Sequence, residues 1–440
     1  MTATARSMAW PSVQPPAVAA LAALHARLER TQWFTTERIE ELQHRQLAAT
    51  ARWFAARSPA FAARLRGAGL TAADVGDRAG FAALPVLERQ ELQDLGERMF
   101  VEPPPRHRPT HDTSSSGSTG RRVTVRKTAV TSSFFNALTV RDYLSRPIDL
   151  EWRLAVVRAC DADDRSSWGS PLSPLYETGP MRLIPVDEPS DVIAGKVREF
   201  RPELVLSYAT MAGELLAAGA LDGVRCVQTI SESLPDGLTE ALSAAGIETW
   251  DLYSCQEAGL LAVECPDRRR TYHVAAENLI VEVLDEHDAP VRPGVVGRVV
   301  ITDLHNLATP LVRYAIGDLA VAGNGPCPCG RGLPTIARVL GRERNLLVNR
   351  VGERRWPVYR KVELRSHGVQ QMQLVQREPG VVVVRVVAPG ELAASARAAI
   401  IEELQRNVGD DVDYIVEPVD VIARSASGKF EEFRSELAPR

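Results

Sequence analysis

Asp112-Thr113-Ser114-Ser115-Ser116-Gly117-Ser118-Thr119-Gly120-Arg121-Arg122 packs small hydroxyl residues around two glycines and ends in a pair of arginines. Such a segment suits phosphate: glycine lets the backbone turn and approach a ligand, hydroxyl and N–H groups donate to oxygen, and arginine adds positive charge. It lacks the G-x-x-x-x-G-K-[ST] spacing of the Walker loop. By composition alone a flexible Ser/Gly linker fits at least as well. Glu102-Pro103-Pro104-Pro105 forces an extended approach to the loop. Arg122-Val123-Thr124-Val125-Arg126 then alternates as a strand does, which predicts a turn between strands rather than a helix cap.

Towards the N-terminus, Val18 to Leu65 is rich in Ala, Leu, Arg, Glu and Gln at helical spacing and predicts two or three helices. Leu84 to Leu92 reads as a turn entering another helix. Towards the C-terminus, short apolar runs (Leu154–Val157, Leu204–Tyr208, Val224–Ile230, Ile247–Tyr253) alternate with helical stretches such as Met211–Ala218 and Leu238–Ala245. That alternation predicts an α/β domain with a largely parallel, buried sheet, whose ligands bind beyond the carboxyl ends of the strands. Two polar clusters stand there, Ser231-Glu232-Ser233 and Tyr253-Ser254-Cys255-Gln256-Glu257-Ala258-Gly259. Asn278–Val283 and Gly297–Thr302, around the turn Val291-Arg292-Pro293-Gly294, predict an antiparallel, β-rich subdomain. Beyond Gly341-Arg342, the run Val381–Val387, a helix near Leu392–Gln405 and a strand near Val412–Val416 predict a small α+β domain. The expected division is 1–341 and 342–440.

At 440 residues and 45% hydrophobic, the chain is long enough for two or three cored domains. Fifty-two basic against 56 acidic residues, a net charge of -4, give no reason to expect nucleic acid or an anionic membrane as partner. No apolar run of about 18 residues and no secretion-signal core are present, so a cytoplasmic location is expected. The six cysteines are too few and too uneven for a disulfide framework, leaving thiol or metal roles.

Taken in order, these motifs resemble the adenylate-forming (AMP-forming acyl-CoA synthetase-like) superfamily, specifically its phenylacetate-CoA ligase branch. The likeness covers most of the chain. Ser114 to Gly120 is similar to that family's ATP loop, and Tyr253-Ser254-Cys255-Gln256-Glu257 stands where the family has Tyr-Gly-x-[Ser/Thr]-Glu. Glu264-Cys265-Pro266, Pro310 to Asp318, Cys327-Pro328-Cys329-Gly330-Arg331 and Gly341-Arg342 match the branch in order.

The resemblance implies a nucleotide site of Ser115, Ser116, Gly117, Ser118, Thr119, Gly120, Glu232, Asp251, Tyr253, Asp318 and Arg342. It implies an acid pocket near Tyr143, Tyr208, Ser231, Ser254 and Ala258. Joining a carboxylate to ATP brings two anions together, so cations and positioning must do the work. Glu257, a hard oxygen donor, suits Mg2+, and the two oxygens of Asp318 suit the ribose hydroxyls. Standing alone, each would read as an ordinary helix-start or turn carboxylate, and Arg342 as a surface arginine. Lys429, in Arg424-Ser425-Ala426-Ser427-Gly428-Lys429-Phe430, resembles the family's catalytic Gly-Lys on a small mobile domain that rotates about a hinge after Gly-Arg. Arg344 and Asn345 occupy that hinge region, without the usual aspartate. Arg121 replaces a frequent lysine and keeps its charge, so adenylation should survive; Ser254 stands where glycine is frequent and Cys255 follows it, narrowing the acyl pocket, so phenylacetate is not carried over as substrate.

Cys265, His273, Cys327 and Cys329 offer four soft ligands, enough for a closed structural Zn2+ site. From spacing alone, four unrelated residues are as good a reading; the resemblance favours zinc. A cysteine hydrolase is disfavoured, because Cys255 is flanked by Gln256 and Glu257 and no histidine signature accompanies it. The expectation is therefore activation of a carboxylic acid, aromatic or flat, by MgATP to acyl-AMP, then transfer to a thiol, CoA foremost. An amide synthetase and a non-catalytic nucleotide-binding homologue are the alternatives. Family likeness also makes a homodimer unsurprising.

Overall fold

The computed structural model describes residues 14–115, 121–355, 357, 368–425 and 428–437. Three helices form the N-terminal part: α1 (Pro16–Thr31), α2 (Thr36–Ala55) and α3 (Pro59–Gly67). Thr35 and Ser58 accept the backbone N–H of Arg38 and Phe61, the caps that start α2 and α3. In α2, Ile39, Gln43, Leu47, Ala51 and Phe54 fall on one buried stripe. Two short helices, α4 (Arg78–Ala83) and α5 (Arg89–Leu95), follow.

Strands β1 (Thr110–Ser114) and β2 (Thr124–Thr128) pair antiparallel, with Ser114 opposite Thr124. The Ser/Gly stretch therefore connects two strands, as its alternating flank predicted, although Ser116, Gly117, Ser118, Thr119 and Gly120 themselves lie outside the described residues. Helix α6 (Ala129–Leu144) starts directly after β2 on a reciprocal Thr128–Thr131 cap. It went unpredicted because it packs against both α1 and the central sheet, and so carries apolar residues on several sides and no clean amphipathic period.

Strands β3 (Leu154–Arg158), β4 (Asp163–Arg165), β5 (Met181–Pro185), β6 (Leu204–Tyr208), β7 (Cys226–Ile230) and β8 (Glu248–Cys255) come next. β5-β3-β6-β7-β8 are parallel neighbours, with β4 antiparallel at the edge. Helices α7 (Ser190–Phe200), α8 (Ala209–Ala217) and α9 (Asp236–Ala244) pack on them, burying Ile193, Val197, Met211, Leu215, Val227 and Leu242 together.

β9 (Gly259–Glu264) turns back from β8, and β10 (Tyr272–Val274), β11 (Leu279–Leu284), β12 (Val296–Asp303), β13 (Tyr314–Ala322) and β14 (Thr335–Arg342) continue antiparallel. The order β11-β12-β13-β14-β10-β9-β8-β7-β6-β3-β5-β4 is one twelve-stranded sheet among the described residues. The β-rich part is thus continuous with the parallel sheet rather than set apart from it. The β8–β9 hairpin makes the join, because its hydrogen bonds extend the parallel edge directly into the antiparallel strands.

After a small β15 (Leu347–Val348) and β16 (Arg354–Arg355) pair come β17 (Gln371–Glu378), β18 (Val381–Val387), helix α10 (Ala394–Asn407), β19 (Asp413–Pro418) and β20 (Phe433–Ser435). Their sheet runs β19-β18-β17-β20, with β19 and β20 parallel to their neighbours. The valine run alternates as a one-sided strand should: Val382, Val384 and Val386 are buried against Ile400 and Leu404 of α10. The chain has the mixed α/β architecture expected from its sequence. Among the described residues no helix is long and apolar enough to cross a membrane.

Among the described residues Arg313 is the largest fully buried side chain. Its Nη1 donates to the carbonyls of Ala82 and Leu84, both at 2.6 Å, and its Nε donates to Glu282 at 3.2 Å. The Arg313 carbonyl accepts from Leu87 N, and Leu87 O accepts from Ala315 N. The central sheet thereby grips the segment that leads into α5. Breaking a buried pair leaves the remaining charge and carbonyls without partners. Arg313→Met is expected to lower unfolding free energy by about 3–5 kcal/mol, measured by denaturant unfolding.

Candidate functional site

The parallel strands end beside the β8–β9 turn and the last residues of β14, and the predicted residues collect there. Asp318 on β13 and Arg342 on β14 are register partners. Their side chains pair at 3.2 Å, Arg342 Nη1 donates to Ile316 O at 2.9 Å, and the Tyr253 hydroxyl donates to Asp318 Oδ2 at 2.9 Å. The Asp318 carboxylate strengthens Arg342's hold on its proton. Burial, with Asp318 adding to it, pushes the Tyr253 phenol well above its usual value, so it stays a donor.

Glu257 lies in the turn between β8 and β9 and is buried. Arg89, the first residue of α5, reaches it: Arg89 Nη1 meets Glu257 Oε1 at 2.9 Å and the Tyr314 hydroxyl at 3.4 Å, while Nη2 donates to Ser115 Oγ at 2.6 Å. One guanidinium joins the start of the Ser/Gly loop to the predicted Mg2+ carboxylate. Sequence reading missed Arg89 because nothing in the run Leu84–Leu92 marks one charged residue over its neighbours. Arg121, after the loop, pairs instead with Asp94 at 2.8 Å.

Lys429 arrives from the C-terminal part. Gly428 has φ 76°, and a Cβ there would stand 2.4 Å from Val186 Cγ1 and 3.2 Å from the Tyr208 ring, so only glycine permits this approach. Phe430 N donates to Glu232 Oε1 at 2.6 Å. Lys429, held between them, has its ammonium pushed below the usual value by burial and then by Arg342; Asp318, Glu232 and Glu257 oppose that shift.

Two further carboxylates assigned to the nucleotide have protein partners. The Glu232 carboxylate is buried and engaged by Phe430 N, Thr210 N at 2.9 Å and Thr210 Oγ1 at 2.8 Å, so it ties protein segments together. Asp251 is buried within β8, bonded by Thr229 Oγ1 at 2.6 Å and the Tyr272 hydroxyl at 2.9 Å, and both its oxygens have protein partners. Of the residues assigned to the acid, Tyr208 is buried and its oxygen accepts from Ala159 N at 3.3 Å. Ser231 is exposed with φ 66°, Ser254 is half-buried, and Ala258 is buried with its N–H on Cys255 Sγ at 3.3 Å. Tyr143 donates to Gln228 at 2.7 Å beside the Trp168 and Trp250 rings. The Cys255 thiol is pushed up to about 12 by burial and then by Glu257, which opposes a thiolate nucleophile.

Cys265, His273, Cys327 and Cys329 converge, their ligand atoms all within 4.8 Å of one another. Cys265 and Cys327 sulfurs are 3.8 Å apart, and Cys329 Sγ lies 3.3 Å from His273 Nε2. A tetrahedral zinc with Zn–S of about 2.3 Å and Zn–N of about 2.0 Å sets its ligands about 3.5–3.8 Å apart, so the quartet fits. Burial pushes His273 down to about 4, keeping the imidazole neutral as ligation needs. Arg331 follows the cysteine loop and bonds Gln32 at the end of α1.

A family model described as CapK C-terminal domain matches residues 358–435. Phenylacetate-coenzyme A ligase of Thermus thermophilus is 29% identical over 168 residues, which are 35% of this chain and 37% of that relative. The aligned part thus spans little more than a third of that protein. Among solved structures, 2-hydroxyisobutyryl-CoA ligase in the postadenylation state with R3-HIB-AMP superimposes with a TM-score of 0.71 at 17% identity, covering 90% of this chain and 91% of that one. The same ligase in its thioesterification state, with 2-HIB-AMP and CoA, gives 0.58 at 18% identity, covering 90% of each chain. The fold is therefore that of the adenylate-forming CoA ligases. The sequence likeness is to phenylacetate-CoA ligase, the branch its ordered motifs resemble.

Asp251 generates a pH prediction. Burial pushes its carboxyl up to about 7, with nearby Glu264 adding to the rise and Thr229 and Tyr272 opposing it. The folded state then keeps a proton that the unfolded chain releases near pH 4, so stability is full below that value and falls as pH rises towards 7. Asp251→Asn should remove this loss. Its stability relative to wild type is expected to rise by about 2–3 kcal/mol between pH 5 and pH 8, read by urea unfolding at both pH values.

Proposed function

We propose that this chain is an ATP-dependent, AMP-forming carboxylate ligase that passes its acyl group to a thiol, CoA foremost. The observation that carries the reading is the pairing of Asp318 with Arg342 and the Tyr253 hydroxyl beside Glu257, together with the seating of the residues either side of Lys429, Gly428 against Val186 and Tyr208 and Phe430 N on Glu232. We assign residues 1–341 to an adenylation body and 342–440 to a small domain that brings Lys429; the separate hydrophobic core of the four-stranded sheet supports that division.

In the first half-reaction a carboxylate oxygen of the acid attacks the α-phosphorus of ATP, and the bond to the bridging oxygen breaks to release pyrophosphate. Lys429 neutralises charge gathering on the carboxylate and α-phosphate oxygens. Asp318, fixed by Arg342 and Tyr253, accepts from the ribose hydroxyls. Arg89 lies between Ser115 and Glu257, where a guanidinium can take the outgoing phosphates bidentately. Arg89 Nη1 at 2.9 Å and the Tyr314 hydroxyl at 3.5 Å both donate to Glu257 Oε1, which leaves lone pairs on the carboxylate for Mg2+. Mg2+ supplies charge neutralisation and alignment of the phosphates when bound. In the second half-reaction the thiol sulfur attacks the acyl carbon, AMP leaves, and the thiol proton passes to solvent. The higher superposition on the postadenylation than on the thioesterification state of the hydroxyisobutyryl-CoA ligase agrees with Lys429 lying at the site.

We assign zinc to the Cys265–His273–Cys327–Cys329 quartet as a structural ion. Four protein ligands leave no open position for catalysis. The free cysteines suit a reducing cytoplasm.

Carboxylate-dependent exchange of labelled pyrophosphate into ATP is expected with a suitable aromatic or flat acid; silence across a broad acid panel would sink the proposal. Lys429→Ala should slow that exchange by about a hundredfold or more while ATP still binds, and equal loss of both contradicts its role. CoA consumption compared with amide formation from added amines identifies the acceptor. For the metal, elemental analysis should find about one zinc per chain. Cys329→Ser should lower the melting temperature and metal content together.

A further inference from the structure

Lys429 is held by groups on both sides of the contact between the C-terminal segment and the parallel sheet. Arg424, five residues before it, is largely buried, its side chain 14% exposed. Arg424 Nη2 donates to Glu214 Oε1 of α8 at 2.8 Å, and Nη1 donates to Thr210 Oγ1 at 3.0 Å while lying 4.0 Å from Glu232. Glu214 also receives Gln371 of β17 at 3.1 Å and, on its other oxygen, Ser190 at the start of α7 at 2.5 Å. Glu232 receives Phe430 N, the amide directly after Lys429. Two carboxylates on the sheet side thus grip the start and the end of the segment that carries Lys429.

We propose that Glu214 and Glu232, joined through Arg424, are a latch that positions Lys429 for acyl-adenylate formation and must open before thioester formation. These are positioning residues that act through Lys429. The inference rests on the ligase reading above. A chain that performs both half-reactions with one small domain must move Lys429 away after the first. The contacts holding it therefore work for one step and against the other. The latch chemistry fits that demand. Charge-assisted hydrogen bonds are short and directional, so they define one pose. Their partial burial limits screening by salt while they are closed. On opening, both charged partners regain water together, so neither is left buried and unpaired. An apolar seam of the same area would lack that release. Gly428 adds the steric half of the device, since its missing Cβ is what lets the segment lie on Val186 and Tyr208.

The test separates the half-reactions in the full-length protein. Glu214→Gln keeps size and hydrogen-bonding capacity but loses charge. It is expected to slow carboxylate-dependent pyrophosphate exchange about tenfold, with thioester formation from supplied acyl-adenylate and CoA unchanged or faster. Arg424→Gln should behave alike, and the double variant should be no worse than either single one, because the residues act as a pair. Equal loss of both half-reactions, or full additivity, overturns the latch. A readout independent of activity is amide hydrogen exchange by mass spectrometry. Peptides covering 424–430 should exchange faster in Glu214→Gln, with those of β17 and β18 unchanged. Exchange equal to wild type at 424–430 overturns the latch whatever the enzyme does. Accelerated exchange there in a protein without pyrophosphate exchange would keep the contact and reject its catalytic purpose.

Discussion

Asp318 and Arg342 face each other across β13 and β14, with the Tyr253 hydroxyl of β8 on the same carboxylate. A buried carboxylate survives as an anion only with a cation and donors in place. Here the register of two strands supplies the cation, and a third strand supplies the donor. Gly317 at φ 78° and Gly341 at φ 121° directly precede the pair, and the register shifts just beyond it, between Leu319 and Ala320. Backbone positions that favour glycine thus re-aim two adjacent strands so that their next side chains meet. The same β13 carries Tyr314 to Arg89 and Glu257, and the Arg342 charge reaches Lys429.

The site lies where the sheet changes character. Parallel strands place their carboxyl ends along one edge, and the β8–β9 turn at their end sets Glu257 beside the final residues of the antiparallel strands. A purely parallel sheet would offer loops and helix starts there. A purely antiparallel one would offer no common edge of strand ends. Joining both in one sheet brings Tyr253, Glu257, Asp318 and Arg342 together from segments far apart in the chain. Arg424 and Phe430, on either side of Lys429, are held by Glu214 and Glu232.

The quartet Cys265, His273, Cys327 and Cys329 shows the same division between order and geometry. Its spacing left zinc and four unrelated residues equally open. The fold brings Cys265, just past β9, beside His273 on the neighbouring β10, and β14, pairing with β10, delivers the loop that carries Cys327 and Cys329. Strand pairing, which no local pattern encodes, made neighbours of distant residues. The protein partners of Glu232 and Asp251 were out of reach of the sequence for a related reason. A carboxylate near a strand end reads alike whether it faces a cleft or its own protein, and hydrogen-bond partners alone tell the two apart.

Sequence by itself determined the alternation of short apolar runs and helices, the turn character of the Ser/Gly stretch between two strands, the one-sided valine strand of the C-terminal part, and the ordered motifs that name Glu257, Asp318, Arg342 and Lys429. These rest on local periodicity and residue chemistry, which are written in adjacent positions. Only the tertiary structure decided that the antiparallel strands extend the parallel sheet, that Arg89 joins Ser115 to Glu257, that Glu232 holds Phe430, and that Asp251 is enclosed by Thr229 and Tyr272. Each of these depends on which distant backbones pair and which buried charges find partners, and both are settled when the chain closes on itself.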